Sequence, residues 1–336
     1  MSLELLQALA ALDEDGRGVA LPRLAKHLDR RVSLLLREYT LLGDMRLGEA
    51  AGPGWVALVC DADGRWTAHL TPAGQRQLAG LVPLEVWRDA QAEVDPVAVE
   101  TPVALVFNGI SQAVMMATPT DLEDFALGFA LSEGLLLARS ECRGIELQQG
   151  PQGIELHLEV AAAAEVRLKQ RRRMLAGRTG CGLCGVESLQ QLELQALAPL
   201  TRPPWVEALD GATLARAFAQ LPDQQPLHAQ TGAQHAAGWA TPEGELLFTM
   251  EDVGRHNALD KLLGRLLREA EQAPQQGLVL MSSRASYELV RKCVRLGVPV
   301  LATVSAPTSL AVQIARQAGL RLYGFCRGTQ ALRYSD

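Results

Sequence analysis

Between residues 278 and 325 the chain switches repeatedly between two kinds of apolar pattern. No other feature constrains its fold as much. LVLMS (278–282) is a short apolar run, and YELVRKCVRLG (287–297) carries apolar residues at helical spacing up to a glycine. VPVLATVS (298–305) is apolar again, LAVQIARQAG (310–319) is again helical, and LRLYGF (320–325) is a third strand. Strand–helix–strand–helix–strand implies parallel strands joined by right-handed crossovers. In open α/β sheets ligands bind beyond the carboxyl ends of such strands. Three segments leave those ends: Ser282-Ser283-Arg284-Ala285-Ser286, Ser305-Ala306-Pro307-Thr308-Ser309 and Cys326-Arg327-Gly328-Thr329-Gln330. All are small, hydroxyl-bearing or basic, and two precede helix N-termini. That chemistry suits an anion such as phosphate, although each loop alone is also what ordinary Ser and Thr capping looks like.

At 336 residues the chain has length for about two domains. Its 48% hydrophobic and 21% charged residues exclude a disordered chain. No apolar run reaches the roughly 18 residues of a membrane span. MSLELLQALAALDEDGRG lacks a basic n-region and carries acids, unlike a signal peptide. A soluble cytoplasmic protein is the expectation. The net charge of −6 argues against broad electrostatic binding of nucleic acid, but not against a local basic patch. The six cysteines are too few for a disulfide scaffold.

Residues 1–80 read as a unit. Leu3, Leu5, Leu6, Leu9 and Leu12 form one helical stripe. Leu21-Pro22 opens a second helix, and Val32, Leu35, Leu36, Tyr39 and Leu42 mark a third. WVALVCDADGRWTAHLT follows as two strands around Asp63-Gly64, and a further helix is expected after Pro72. Three helices and a hairpin resemble a winged helix-turn-helix. Arg30, Arg31, Arg37 and Arg65 would face DNA. Yet 9 basic against 10 acidic residues leave the module near neutral, a poor basis for phosphate contacts. A small interaction or dimerisation domain is the other reading. Residues 81–94 look like a linker, and 95–170 a small α+β subdomain in which Thr120-Asp121 caps a helix. His157 reads as a strand-face histidine. Residues 171–336 carry the cysteine pair and the parallel sheet.

Gly180-Cys181-Gly182-Leu183-Cys184-Gly185 is the sharpest local motif. Its glycines remove bulk around both sulfurs and permit unusual dihedrals. VESLQQLELQAL then reads as a helix, which places Cys184 near an N-terminus that favours thiolate; Arg171, Arg172, Arg173 and Arg178 add positive charge. Four readings are open. One is half of a zinc site, which only Cys293 and Cys326 could complete. The others are a thioredoxin-like redox pair, inert buried thiols, and a cysteine that accepts sulfane sulfur as a persulfide. A zinc deaminase is set aside, because no proline precedes Cys181. A second cluster, EDVGRHNALDK (251–261), gathers Asp252, Arg255, His256 and Asn257 at a helix start. These are more polar groups than capping requires, and an anionic ligand or a catalytic cleft explains Arg255 and His256 better. TGAQHAA (231–237) contributes His235.

GCGLCG, TGAQHAA, EDVGRHNALDK, SAPTSLA and GFCRG, in this order, resemble the formate dehydrogenase accessory sulfurtransferase family (FdhD) from about Asp95 to Tyr334. The resemblance implies a cytidine-deaminase-like α/β/α sandwich and a homodimer. It implies transfer of sulfur from a cysteine desulfurase to the molybdenum of a bis-guanine-dinucleotide molybdopterin cofactor, bound as substrate and destined for formate dehydrogenase. Cys181 then carries the persulfide with Cys184 as its partner, and no metal is held by the protein itself. Phe325, Cys326, Arg327, Gly328, Thr329 and Gln330 form part of the cofactor site, joined by Arg284, Ser305, Thr308, Arg255, His256, Asn257 and His235. Two departures stand out. The family's SGR loop reads Ser282-Ser283-Arg284 here. Gln330-Ala331-Leu332-Arg333-Tyr334 replaces the usual arginine and asparagine before the tyrosine. A cofactor-sensing DNA-binding regulator and a cofactor chaperone without sulfur chemistry are the alternative functions.

Overall fold

The computed structural model describes residues 2–336 except 14–15, 44–45, 48–49, 52–53, 72–73, 76–77, 79, 89–90, 176–197, 270–273 and 329. Cys181, Cys184, Arg178, Thr329 and the helix expected after Gly185 therefore lie outside the described residues, as does much of the helix expected after Pro72. The described residues divide into two compact units, 1–99 with 147–151, and 100–146 with 152–336.

In the first unit, α1 (Ser2–Leu12) is followed by β1 (Val19–Ala20), α2 (Leu21–His27) and α3 (Val32–Leu42). Then come the short strands β2 (Arg46–Leu47) and β3 (Ala50–Ala51), and the hairpin strands β4 (Val56–Cys60) and β5 (Trp66–Leu70). β1, β5 and β4 form an antiparallel sheet in that order. The leucine stripe read from the sequence is its core: Leu5, Leu6 and Leu9 are buried with Leu24, Leu35, Tyr39 and Val56. The Tyr39 hydroxyl donates to the Leu5 carbonyl at 2.8 Å, tying α3 to α1. At the hairpin tip Asp61 accepts from the backbone N–H groups of Asp63 and Arg65, and Gly64 takes the left-handed φ of +77°.

Residues 81–94 are not an irregular linker. They supply most of an antiparallel ribbon of β6 (Leu81–Arg88) and β7 (Gln91–Ala98), paired from Leu81↔Ala98 to Arg88↔Gln91. Val82, Leu84, Val86, Trp87, Val94 and Val97 are strand formers. Pro83, Pro96 and the interspersed acids hide that pattern in the sequence, and a two-stranded ribbon tolerates proline because every strand in it is an edge.

In the second unit β8 (Thr101–Phe107) and β9 (Ile110–Ala117) precede α4 (Leu122–Ser132), β10 (Cys142–Gly150), β11 (Gly153–Val160) and α5 (Ala162–Leu175). The strands form a sheet ordered β10-β11-β8-β9, with β8 parallel to β11. Asp121 occupies the cap position of α4 at φ +52°, but its side chain does not cap the helix.

The C-terminal part runs α6 (Trp205–Ala208), α7 (Gly211–Ala219), α8 (Pro226–Thr231), β12 (His235–Ala240), β13 (Leu246–Asp252) and α9 (Arg255–Glu269). Then follow β14 (Leu278–Met281), α10 (Tyr287–Arg295), β15 (Val300–Thr303), α11 (Ser309–Ala318), β16 (Arg321–Arg327) and β17 (Gln330–Arg333). The sheet order is β13-β12-β14-β15-β16-β17, with β14, β15 and β16 parallel as the alternating pattern requires. Strand alternation sends Val279, Met281, Leu301 and Leu322 to one face, beneath α9, α10 and α11. Leu278, Leu280, Val300 and Ala302 go to the other face, against α6 and α7. The sheet is thus the middle of three layers. α4 and α9 cross in close backbone contact. A Cβ on Gly128 would stand 1.8 Å from the Asp260 carbonyl, and one on Gly264 would stand 1.8 Å from that of Asp124.

A polar edge with a neutral pocket

The loops leaving β14, β15 and β16 are stitched together. Ala285 and Pro307 form a parallel bridge, Thr308 N–H donates to Ala285 O at 3.0 Å, and Phe325 N–H donates to Ser305 O at 3.3 Å. Because β12 runs antiparallel to β14, its first residues meet the same edge: Ser282 N–H donates to Ala236 O at 3.0 Å, and Ser282 Oγ accepts from Ala236 N–H at 2.8 Å. Next in line, His235 pairs with Asp252 at the end of β13, where α9 begins. Topology thus collects His235, Arg255, His256, Arg284, Ser305, Thr308, Phe325, Arg327, Gly328 and Gln330 on one edge.

Arg284, Thr308, Phe325, Arg327, Gly328 and Gln330 are exposed there. Arg327 Nε donates to Val304 O at 3.1 Å, holding the guanidinium at the end of β15. Thr308 Oγ1 accepts from Ala311 N–H, so it caps α11 while its own proton stays available. Phe325 adopts φ +52° without being glycine, within a register shift between Gly324 and Arg327. Arg255 Nε is buried and has no hydrogen-bond partner among the described residues, a donor left over at the edge. His256 Nε2 lies 3.4 Å from Ser286 Oγ and 3.8 Å from Glu288 Oε2. The imidazole holds the Glu288 carboxyl down at about 2 against the opposing effect of burial. Burial holds His235 below its ordinary range, helped by Arg255, His228 and His256 and opposed by Asp252.

Two residues expected on this edge stand elsewhere. Cys326 is 4% exposed and belongs to the core beneath α6 and α7, where burial pushes its thiol up to about 12. The register shift between Gly324 and Arg327 puts its side chain on the same face as Tyr323, so only its backbone reaches the edge. Asn257 is 2% exposed and spends both amide hydrogens, one on Met116 O at 2.7 Å and one on Asp252 Oδ1 at 3.0 Å. It belongs to a buried network. Asp252 accepts from the N–H groups of Thr118 and Gly254, and Lys261 Nζ lies 2.8 Å from Asp252 Oδ2. Half of EDVGRHNALDK therefore locks the start of α9 to the end of β9, and Arg255 and His256 are the part left facing outward. Asp260 continues the lock, accepting from Ser132 and from Lys292, which is itself buried.

Cys293 and Cys326 lie in core clusters on opposite faces of the sheet, so they cannot meet on one zinc ion. That removes the only completion the zinc reading had.

A pocket of about 410 Å³ beside the start of β12 is lined by Gln225, His228, Gly232, Ala233, Gln234, His235 and Ser282. Glu251 anchors its wall by accepting from the N–H groups of Leu227 and His228 at 2.9 and 2.8 Å. TGAQHAA held the signal in Gln234, but only His235 stood out as chemistry.

A three-layer architecture whose parallel strands end in linked, arginine-bearing loops defines an α/β protein with a polar sheet edge. The chain belongs to the FdhD/NarQ family, whose profile matches residues 98–336. It is 54% identical over 260 residues to the "Sulfur carrier protein FdhD" of Chromobacterium violaceum, covering 76% of this chain and 96% of that protein. It is 50% identical over 270 residues to the protein of the same name from Bordetella bronchiseptica, covering 80% and 94%. The crystal structure of a protein designated a formate dehydrogenase accessory protein, from Desulfotalea psychrophila, superposes with a TM-score of 0.57 at 26% identity, over 76% of this chain and 96% of that one. No helix among the described residues is long and apolar enough to cross a membrane.

Proposed function

We propose that this chain is a sulfur carrier for formate dehydrogenase, working in the cytoplasm as a homodimer. A desulfurase persulfide, R–S–SH, meets the Cys181 thiolate. The thiolate attacks the terminal sulfur, the S–S bond breaks, RS⁻ leaves, and Cys181 holds the persulfide with no net redox change. Cys184 is its partner thiol. The acceptor is the molybdenum of a bis-guanine-dinucleotide molybdopterin cofactor, bound as substrate along the sheet edge. The gathering of Arg255, Arg284 and Arg327 on one edge, with Arg255 Nε unspent, carries the binding half of this reading. Pyrophosphate groups need such donors. GCGLCG and the family carry the sulfur half.

In cells, Cys181→Ala is expected to abolish formate dehydrogenase activation. Full activation by that variant would refute sulfur transfer. Wild-type activation by a Cys181/Cys184 double variant with cofactor binding intact would make the chain a chaperone instead.

The order of helices and strands in residues 1–80 supports a winged-helix-like module, and the layers of the second unit support a cytidine-deaminase-like sandwich. The module's chemistry favours a partner other than DNA. Arg30 is committed to Glu38 at 3.0 Å, and α3 exposes Val32, Leu34 and Leu41. No mobility shift with upstream DNA at low salt is expected, whereas binding with a steep salt slope would establish a cofactor-sensing regulator.

A further inference from the structure

Strand β10 stands at one end of the sheet β10-β11-β8-β9, so one of its two sides has no ladder partner among the described residues. An open strand edge is a template on which another chain can pair. Residues 142–145 of this strand line a pocket of about 120 Å³ within the second unit. Three arginines meet there from three elements. Arg139 opens the 3-10 turn Arg139–Glu141 that enters β10, Arg143 stands on the strand, and Arg268 lies in the last turn of α9. Leu127, Cys142 and Ile145 give the pocket an apolar wall. Arg268 is already paired, with Glu123 at 2.8 Å and Asp124 at 2.9 Å. Arg139 instead donates to the Cys142 carbonyl at 2.9 Å, a bond that leaves its charge uncompensated. Arg143 comes no nearer to a carboxylate than 3.9 Å, at Glu159, and both side chains are well exposed, a contact worth little in water. Two positive charges thus remain at the rim, beside an unpaired strand edge.

The volume lies below the roughly 300–1,000 Å³ of small-molecule sites, so the pocket takes a single side chain rather than a whole ligand. Charged residues on an edge are also how sheets discourage pairing. That purpose needs no concavity, whereas these arginines converge on one that has an apolar wall. We propose that the β10 edge is a docking site for an acidic, extended segment of a partner protein. The segment pairs its main chain with β10, and one Asp or Glu side chain enters the pocket between Arg139 and Arg143. Main-chain bonds then supply affinity and the pocket supplies selectivity. Arg255 and Arg268 lie at opposite ends of the 15-residue α9, about 20 Å apart along its axis. The docked segment therefore does not cover the arginine-bearing edge where α9 begins.

Fluorescence anisotropy on the full chain at low salt tests this with a labelled peptide of alternating valine and threonine around one central aspartate. The same peptide with asparagine or lysine at the centre is expected to bind at least about tenfold more weakly, as is a version N-methylated along one side of its backbone. The Arg143 side chain is 60% exposed, so Arg143→Glu keeps the fold. It should weaken binding of the aspartate peptide at least about tenfold, while Arg143→Lys keeps most of it. Equal affinity for the aspartate and asparagine peptides, full binding of the N-methylated peptide, or indifference to Arg143→Glu overturns the proposal. Absence of peptide binding overturns it too, and if Arg143→Glu then halves the mass seen by light scattering, the edge belongs to a second copy of the chain.

Discussion

Lys261 has no exposed surface, and its ammonium is enclosed by Asp252 Oδ2 at 2.8 Å and by the carbonyls of Thr118 and Glu251 at 3.0 and 3.2 Å. Removing it strands the Asp252 charge in the interior. Lys261→Met is expected to cost about 3–5 kcal/mol, read as a lowered denaturant midpoint at unchanged slope. Glu133 makes a pH-dependent contribution. Burial alone would raise its carboxyl, but Lys292 and Arg291 outweigh that and bring it from 4.5 to about 2. Its folded value lies below its unfolded one, so the stabilisation is complete above about 4.5 and disappears as pH falls towards 2. The difference in melting temperature between wild type and Glu133→Gln should therefore be full at pH 6 and close as pH falls through that window. A difference independent of pH would show that the ion pairs do not set it.

Among the elements, the crossing of α4 and α9 is the most demanding contact, because Gly128 and Gly264 let the two backbones touch. Gly128→Ala places a methyl carbon 1.8 Å from the Asp260 carbonyl. The helices must separate, at a cost of about 3 kcal/mol or more, measurable by chemical denaturation. Nothing in DLEDFALGFALSEG marks that glycine, since a glycine inside a helix pattern reads only as a weak position. The parallel core was legible because LVLM and VLAT are short apolar runs separated by helical periods. The ribbon at 81–98 was not, because its strand formers are interrupted by prolines and acids. Local pattern located the candidate site wherever it needed only strand ends, as for Arg284, Thr308 and Arg327. It failed where partners come from far along the chain. Asn257 is committed through Met116 and Asp252, and Lys261 through Thr118, across 141 and 143 positions. Cys326 was misplaced for a simpler reason: the face a strand residue takes depends on register, and a bulge shifts it there.

At the scale of the whole molecule, the family match begins at residue 98, and the relatives that it resembles along 91–96% of their own lengths cover only 76–80% of this chain. The first unit is thus largely an addition to a conventional carrier, with its own core of Leu5, Leu9, Leu24 and Tyr39. Its α3 exposes Val32, Leu34 and Leu41. The second unit carries the arginine-bearing sheet edge, and the proposed sulfur chemistry falls to Cys181 and Cys184. Mass spectrometry of the full chain after incubation with a cysteine desulfurase and cysteine tests whether Cys181 carries sulfur. One added sulfur is expected on the peptide bearing Cys181, absent in Cys181→Ala and removed by a thiol reductant. An unmodified Cys181, with sulfur appearing on another cysteine or on none, would contradict it.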